Sequence, residues 1–230
     1  MRTLTLLVTT AVLAADSWVF AQGPNNSPVS DTSLSPVNAQ PAQGPGEIVT
    51  AAASGMLKEL DADRDSYRKN SSKVNDLVQK YLLTHFDTQT AAQAVLGKHW
   101  RAATPEQRKR FIDAFYRSLL NSYSSALVDF TSDRLQILPV NVDPNADHAT
   151  VRTLVKRNDG ERVAVNYQMR KVNNDWKAWD VNVAGISYIK SYHDDFGPQI
   201  EQQGLDSVIA RLENGGGPGP INKTITGGKD

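Results

Sequence analysis

At 230 residues the chain is long enough for one medium domain with tails or for two small domains, and its 40% hydrophobic and 22% charged residues are those of an ordinary globular protein. Lys and Arg number 25 and Asp and Glu number 25, so no global basic excess exists to grip a nucleic-acid backbone. Cysteine is absent, which excludes a disulfide, a thiolate nucleophile, a Cys metal site and a lipoprotein anchor.

Residues 1–21 have the layout of an export signal. Arg2 precedes a short apolar run from Leu4 to Ala15, and Val19-Phe20-Ala21 offers small residues for a cut after Ala21. The alternative is an N-terminal membrane anchor. It is opposed by Asp16 and by a run shorter than the roughly 18–20 residues a bilayer requires. No later stretch is apolar enough to cross a membrane, so the exported chain is expected to be soluble. Residues 22–46 are rich in Pro, Gln, Asn, Ser and Gly and read as a disordered leader. Residues 214–230 read as a flexible Gly-rich tail. A single folded domain is expected over 47–213.

Within that domain the first half has helical periodicity. A helix is predicted from Glu47 to about Tyr67 on Ile48, Ala52, Met56 and Leu60. A second follows Ser72 on Val74, Leu77, Val78, Tyr81 and Leu82. Asp87 is placed to cap a short helix that ends at Gly97. Thr104-Pro105-Glu106-Gln107 combines an N-cap, a proline at the first helical position and a capping-box Gln. The helix it opens is predicted to reach about Phe130, with Phe111, Phe115, Leu119, Tyr123 and Leu127 on one face.

The second half switches to period two. Strands are predicted over 134–142 (broken near Pro139, hence an edge or a bulge), 148–157, 161–171 and 176–184, the last presenting Trp179, Val181 and Val183 on one face. Asn158-Asp159-Gly160 and Asn173-Asn174-Asp175 supply the turns. Helix returns over Tyr188–Leu212, with interruptions expected near Gly197-Pro198 and Gly204. The fold class is α+β, with helices covering a four-stranded antiparallel sheet.

No catalytic signature emerges. His85, His99, His148 and His193 lack metal-ligand spacing, and His193-Asp194-Asp195 reads as a solvated patch. The nucleophile elbow, the P-loop and the dinucleotide glycine fingerprint are all missing. Asp180 is predicted to face away from Val181, which opposes a role as a buried base. Arg101, Arg108, Lys109, Arg110 and Arg117 form a local basic cluster, either a solvated helix face or a docking patch for lipid head groups or an acidic partner. The aromatic stripe over 111–130 is either plain core or the wall of a cavity, because periodicity does not separate a filled interior from a hollow one.

The ordered set Leu83-Thr84-His85-Phe86-Asp87, Ala94-Val95-Leu96-Gly97-Lys98-His99-Trp100-Arg101 and Ala103-Thr104-Pro105-Glu106-Gln107-Arg108 with Phe111 and Phe115 resembles the helical half of the MlaC/toluene-tolerance family. Val165-Asn166-Tyr167-Gln168-Met169-Arg170 is similar to its central strand. Trp176-Lys177-Ala178-Trp179-Asp180-Val181 with Gly185-Ile186-Ser187 is similar to its last strand and exit, and Tyr192 to Leu212 to its closing helix. The resemblance implies a curved sheet in an NTF2-like cone around an apolar cavity. It implies a periplasmic phospholipid carrier serving outer-membrane lipid asymmetry, between an outer-membrane lipoprotein–porin complex and an inner-membrane ABC transporter with a lipid-binding ring. No catalytic residue and no cofactor come with it, and the chain reads as a monomer.

If acyl chains enter between the 104–130 helix and the sheet, the lining draws on three groups. These are Val74, Leu77 and Tyr81; then Phe111, Phe115, Leu119 and Tyr123; then Val151, Val165, Tyr167, Met169, Trp179 and Val181. Arg101, Arg108, Lys109 and Arg117 are the expected docking residues. A non-catalytic interaction module with a solid core and a small isomerase or hydrolase on the same cone are the rival readings.

Overall fold

Helix α1 (Pro45–Ala62) starts inside the stretch expected to be disordered. Pro45 occupies its first turn, and the Gly44 N–H donates to Glu47 Oε2 at 3.0 Å, so proline and the local acid satisfy what a helix start demands. The computed structural model describes residues 43–157 and 159–217. The expected signal peptide, nearly all of the leader, Asn158 and the tail from Pro218 lie outside the described residues.

The predicted single helix to Tyr67 is instead two. Asp63 adopts a non-helical backbone, and its side chain accepts from the Ser66 N–H at the start of α2 (Arg64–Lys69). The aspartate caps more favourably than it continues. Asn70 repeats the device for α3 (Ser71–Tyr81), accepting from the N–H groups of Ser72 and Lys73. Asp87 caps α4 (Thr88–Leu96) as expected, through Thr90 N–H at 3.0 Å.

Gly97, at φ +52°, ends α4 and opens α5 (Lys98–Ala102). A Cβ there would lie 2.5 Å from His193 Cε1, so glycine is needed both for the turn and for the close approach of a later helix. In α6 (Pro105–Val128) the capping box is complete. Thr104 Oγ1 accepts from Gln107 N–H at 3.1 Å and Gln107 Oε1 from Thr104 N–H at 2.9 Å.

The sheet has five antiparallel strands in sequential order, not four. They are β1 (Leu135–Ile137), β2 (His148–Lys156), β3 (Arg162–Val172), β4 (Asp175–Val183) and β5 (Ile186–Ser187). β1 ends before Leu138-Pro139, because proline has no N–H for the ladder. β5 is two residues long, formed when Ala184 and Gly185, both at positive φ, turn the chain back on Val183; a strand that short leaves no periodicity to read. Asn173 and Asn174, also at positive φ, make the β3–β4 turn.

Val151 opposes Tyr167, Thr153 opposes Val165, and Val165 opposes Val183, which builds one apolar face across three strands. The register slips between Gln168 and Met169: Gln168 opposes Asp180, Met169 opposes Ala178, and Trp179 is left without a partner. The slip corrects the expectation for Trp179, which is only partly buried, whereas Trp176 and Ala178 take the buried places.

Asp180 shares the face of Gln168, as predicted, yet is 4% exposed. The chain returns over it as β5 and α7 (Tyr188–Gln203). Its carboxylate accepts from Ile189 N–H at 3.1 Å and from the Ser187 hydroxyl at 2.7 Å, and Ser187 in turn caps α7 through Lys190 N–H. The interruption expected near Gly197-Pro198 does not occur. Pro198 lies inside α7 on an exposed side with Asp194, where the carbonyl that loses its partner can be hydrated. Gly204, at φ +81°, does separate α7 from α8 (Leu205–Glu213).

Four apolar clusters hold these elements. The largest joins α4 to α8 around Phe111, Phe115, Tyr192 and Phe196. A second joins α1, α3 and the end of α6 through Leu57, Leu60, Leu77 and Val128. The other two lie on the sheet, one with Ile48 of α1 over Val151, Met169 and Trp176, the other around Val155, Val163, Val165 and Val183.

Replacing Asp180 with alanine leaves a buried N–H and a hydroxyl without their acceptor. We expect a loss of roughly 1–3 kcal/mol in urea unfolding; an unchanged midpoint would show that the carboxylate does not hold α7 to the sheet.

Candidate functional site

The structure opens a cavity of about 800 Å³ between α1 and the edge strand β1. On α1 its wall is one helical face, Thr50, Ala53, Ser54, Leu57, Lys58 and Asp61, spaced by three and four residues. The opposite wall is Leu135, Ile137, Leu138 and Pro139, with Ser132 at one end.

Its origin lies in how the clusters meet. Leu57 belongs to the helical cluster under α1, Ile137 packs with the Ile48–Met169 cluster, and Leu135 packs with the Val163–Val183 cluster. All three border the opening. The side chains of α1 at the junction are Ala53 and Ser54, too short to bridge to β1. The apolar walls carry a polar rim of Thr50, Ser54, Lys58, Asp61 and Ser132. The N-terminus of α1 is pinned against the chain beyond β1, where a Cβ on Gly46 would lie 3.1 Å from Val140 Cγ2.

The cavity offers little for acid–base or nucleophilic chemistry. Asp61 is paired with Arg64 at 2.6 Å, and Lys58 is exposed. Asp180, the one buried carboxylate among the described residues, spends both oxygens on capping α7. Burial raises the phenols of Tyr116, Tyr167, Tyr188 and Tyr192, which keeps them neutral. Burial, with Lys177 nearby, lowers His85. Among the described residues no group of three or more His, Asp or Glu side chains could hold a metal. The arrangement suits an apolar guest with a polar end at the rim.

None of the thirteen residues expected to line a pocket borders this one. Phe111 and Phe115 are stacked at 5.5 Å and enclosed by Tyr192 and Phe196. The aromatic stripe of α6 is therefore solid core at this end. Leu119 packs against the same cluster. Tyr123 stacks on Tyr188, with its hydroxyl 3.5 Å from that of Tyr192. Val74 and Leu77 are core beside Leu57, and the Tyr81 hydroxyl donates to Glu59 Oε2 at 2.8 Å. Val151, Val165, Tyr167, Met169 and Val181 do lie together on the apolar sheet face. The sequence signals for this opening were the edge strand broken at Pro139 and the small residues of α1.

The basic cluster separates into bound and free members. Arg108 lies 4.9 Å over the Trp100 ring and donates from Nε to Trp100 O at 3.0 Å, so it fastens α5. Lys109 pairs with Asp113 at 2.7 Å, and Arg110 with Glu213 at 2.8 Å. Arg101 and Arg117 are exposed and make no close ion pair among the described residues, although Arg117 attracts the Glu213 carboxylate through space. No described helix is long and apolar enough to cross a membrane.

A sequence-family model described as "MlaC protein" matches residues 50–214. The chain is 29% identical over 166 residues to the toluene tolerance protein ttg2D of Pseudomonas putida, covering 72% of this chain and 77% of that one. It is 21% identical over 172 residues to the intermembrane phospholipid transport system binding protein MlaC of Haemophilus influenzae, covering 74% and 80%. The fold is similar, at a TM-score of 0.67 and 28% identity, to the phospholipid-binding protein of Ralstonia solanacearum, whose structure was solved in complex with a phospholipid. That likeness covers 73% of this chain and 94% of the other.

Proposed function

Because the chain belongs to the MlaC/toluene-tolerance family, we propose that it binds phospholipid and transports it as a carrier, with acyl chains entering the cavity between α1 and β1. The observation that supports this most directly is the cavity itself. It sits where three apolar clusters fail to close, in a fold similar to one solved with a phospholipid. Its volume of about 800 Å³ falls in the range of about 300–1,000 Å³ typical of ligand sites.

Each methylene withdrawn from water contributes about 0.8 kcal/mol, so two chains with roughly 30 methylenes gain on the order of 24 kcal/mol relative to water. A bilayer gives the chains nearly the same gain, so loading exchanges one apolar environment for another. The carrier keeps the chains dry in transit, and direction comes from partners with different affinities. Deeper insertion displaces α1 from the sheet and exposes Val151, Val165, Tyr167, Met169 and Val181 as further lining. The aromatic cluster around Phe111 and Phe115 takes no part. The polar rim leaves the head group in water, which suits tolerance of different head groups.

In this reading the protein works in the periplasm after signal cleavage, as a monomer. It receives lipid from and delivers it to an outer-membrane lipoprotein–porin complex and an inner-membrane ABC transporter with a lipid-binding ring. Arg101 and Arg117 are the docking cations left free to contact them. No step of this reading requires catalysis.

Native mass spectrometry with lipid extraction tests the central point: we expect about one phospholipid per chain. Protein that purifies empty and takes up no lipid from vesicles would return it to a plain interaction module. The placement of the cavity has its own test. Ser54→Trp, introduced from the exposed face of α1, is expected to lower occupancy at least about fivefold, a cost of about 1 kcal/mol or more, while circular dichroism and Tm stay unchanged. Full occupancy in that variant would move the acyl site away from α1 and β1.

A further inference from the structure

The sheet face opposite the apolar one carries an excess of positive charge that the neutral chain as a whole does not. Its residues follow from the register. His148 opposes Arg170, which opposes Lys177; Arg152 opposes Asn166, which opposes Asn182; Lys156 opposes Arg162. The bond from Thr150 Oγ1 to Gln168 Oε1 at 2.9 Å confirms that such pairs share a side. Of the carboxylates on this face, Asp180 is buried and committed to α7, and Asp175, opposite Val172, stands at the Lys177 end, away from Arg152, Lys156 and Arg162.

Arg170 answers Asp87 at 3.5 Å, and Lys177 donates to Thr84 O at 2.6 Å. Among the described residues Arg152 and Lys156 are exposed and make no close ion pair, although Lys156 and the Asp133 carboxylate attract each other through space, and Arg162 bonds to the Gln136 amide at 3.2 Å. Lys156 and Arg162 stand directly across from each other, a like-charge pairing that weakens a sheet. That pairing offers the two strands no cross-strand attraction.

We propose that this face is a docking surface for the anionic surface of a lipid bilayer, with Arg152, Lys156 and Arg162 as its main contacts. Strand β2 carries cations from Arg152 to Lys156 in a strip that spans about 26 Å from His148 to its end, at about 3.3 Å per residue. The central positions are Asn166, Asn182, Ala164 and the half-buried Leu154, so contact is mainly electrostatic and reversible. The face also adjoins the cavity. Strand β1 turns Leu135 and Ile137 into the opening and Gln136 toward Arg162, while Lys58 stands on the opposite rim. Docking here brings the mouth of the cavity to the lipid surface; the purpose rests on the carrier function proposed above, but the binding can be measured without it.

The test is co-sedimentation of the purified protein with vesicles of phosphatidylethanolamine and phosphatidylglycerol, against vesicles of phosphatidylcholine alone. We expect binding to the anionic vesicles that weakens as salt shortens the screening length. Each cation near an anionic leaflet contributes roughly fivefold, so R152E/K156E/R162E is expected to lose binding by roughly a hundredfold. The charge-matched K69E/K73E/K190E is expected to lose far less. Circular dichroism checks folding, and R152Q/K156Q/R162Q repeats the test with smaller perturbation. Equal binding to both vesicle types, or equal losses in the two triple variants, would overturn the proposal. So would salt-dependent retention on immobilised polyglutamate without vesicle binding, which would assign the face to an acidic protein. Lipid occupancy by native mass spectrometry, followed in the same variants, keeps a failure here distinct from a failure of the carrier function.

Discussion

An apolar sheet face has to be covered, and in this chain the cover over its β1–β4 end is a single helix. Ile48 of α1 packs over Val151, Met169 and Trp176, and further along the same helix Leu57 and Leu60 turn toward α3 and the end of α6. Between these two attachments α1 carries Ala53 and Ser54, and the contact with β1 is not completed. The element that protects the sheet from water is therefore also the element that leaves a space beside it. Larger residues at those positions would bury more area and remove the cavity. The space left open here is stability the fold forgoes.

A fold that leaves one seam open must be rigid elsewhere. The aromatic cluster of α4 to α8 supplies that rigidity, with Phe115 edge-on to Tyr192 at 5.1 Å and to Phe196 at 5.9 Å. It shares none of its buried residues with the clusters that border the cavity. Polar ties join the platform to the sheet: Asp180 holds the start of α7 to β4, and Arg170 of β3 donates to Thr90 Oγ1 of α4 at 2.8 Å; within the platform, His193 Nδ1 lies 3.0 Å from Val95 O across the approach that Gly97 permits. Motion of α1 against the sheet can then occur without loosening the helical half.

Features governed by a few neighbouring residues were legible in the sequence. Thr104-Pro105 with Gln107, Asp87, Gly97 and the paired asparagines at 173 and 174 each act within one turn of chain, and each is where local chemistry places it. What escaped depends on distant partners. A single extra residue at Trp179 inverts the alternation of β4 beyond it, and only pairing with Met169 and Gln168 reveals the slip. Asp180 was given the right face and the wrong burial, because the cover arrives from β5 and α7. The opening beside α1 was not anticipated for the same reason. Period 3.6 marks the Phe111–Phe115 stripe as apolar but does not say that Tyr192 and Phe196 fill the space in front of it, nor that the quieter face at Ala53 and Ser54 meets nothing.

The shortness of β1 bears on how such a molecule survives at high concentration. An apolar opening flanked by an unpaired strand edge is the combination from which chains template one another into aggregates. Here the edge is three residues long, and Pro139 just beyond it has no N–H to extend the ladder. A visiting strand would find too few N–H groups to be held, whereas a guest without a peptide backbone needs none. The proline that breaks the edge thus limits strand addition at the open side of the protein while leaving the cavity accessible.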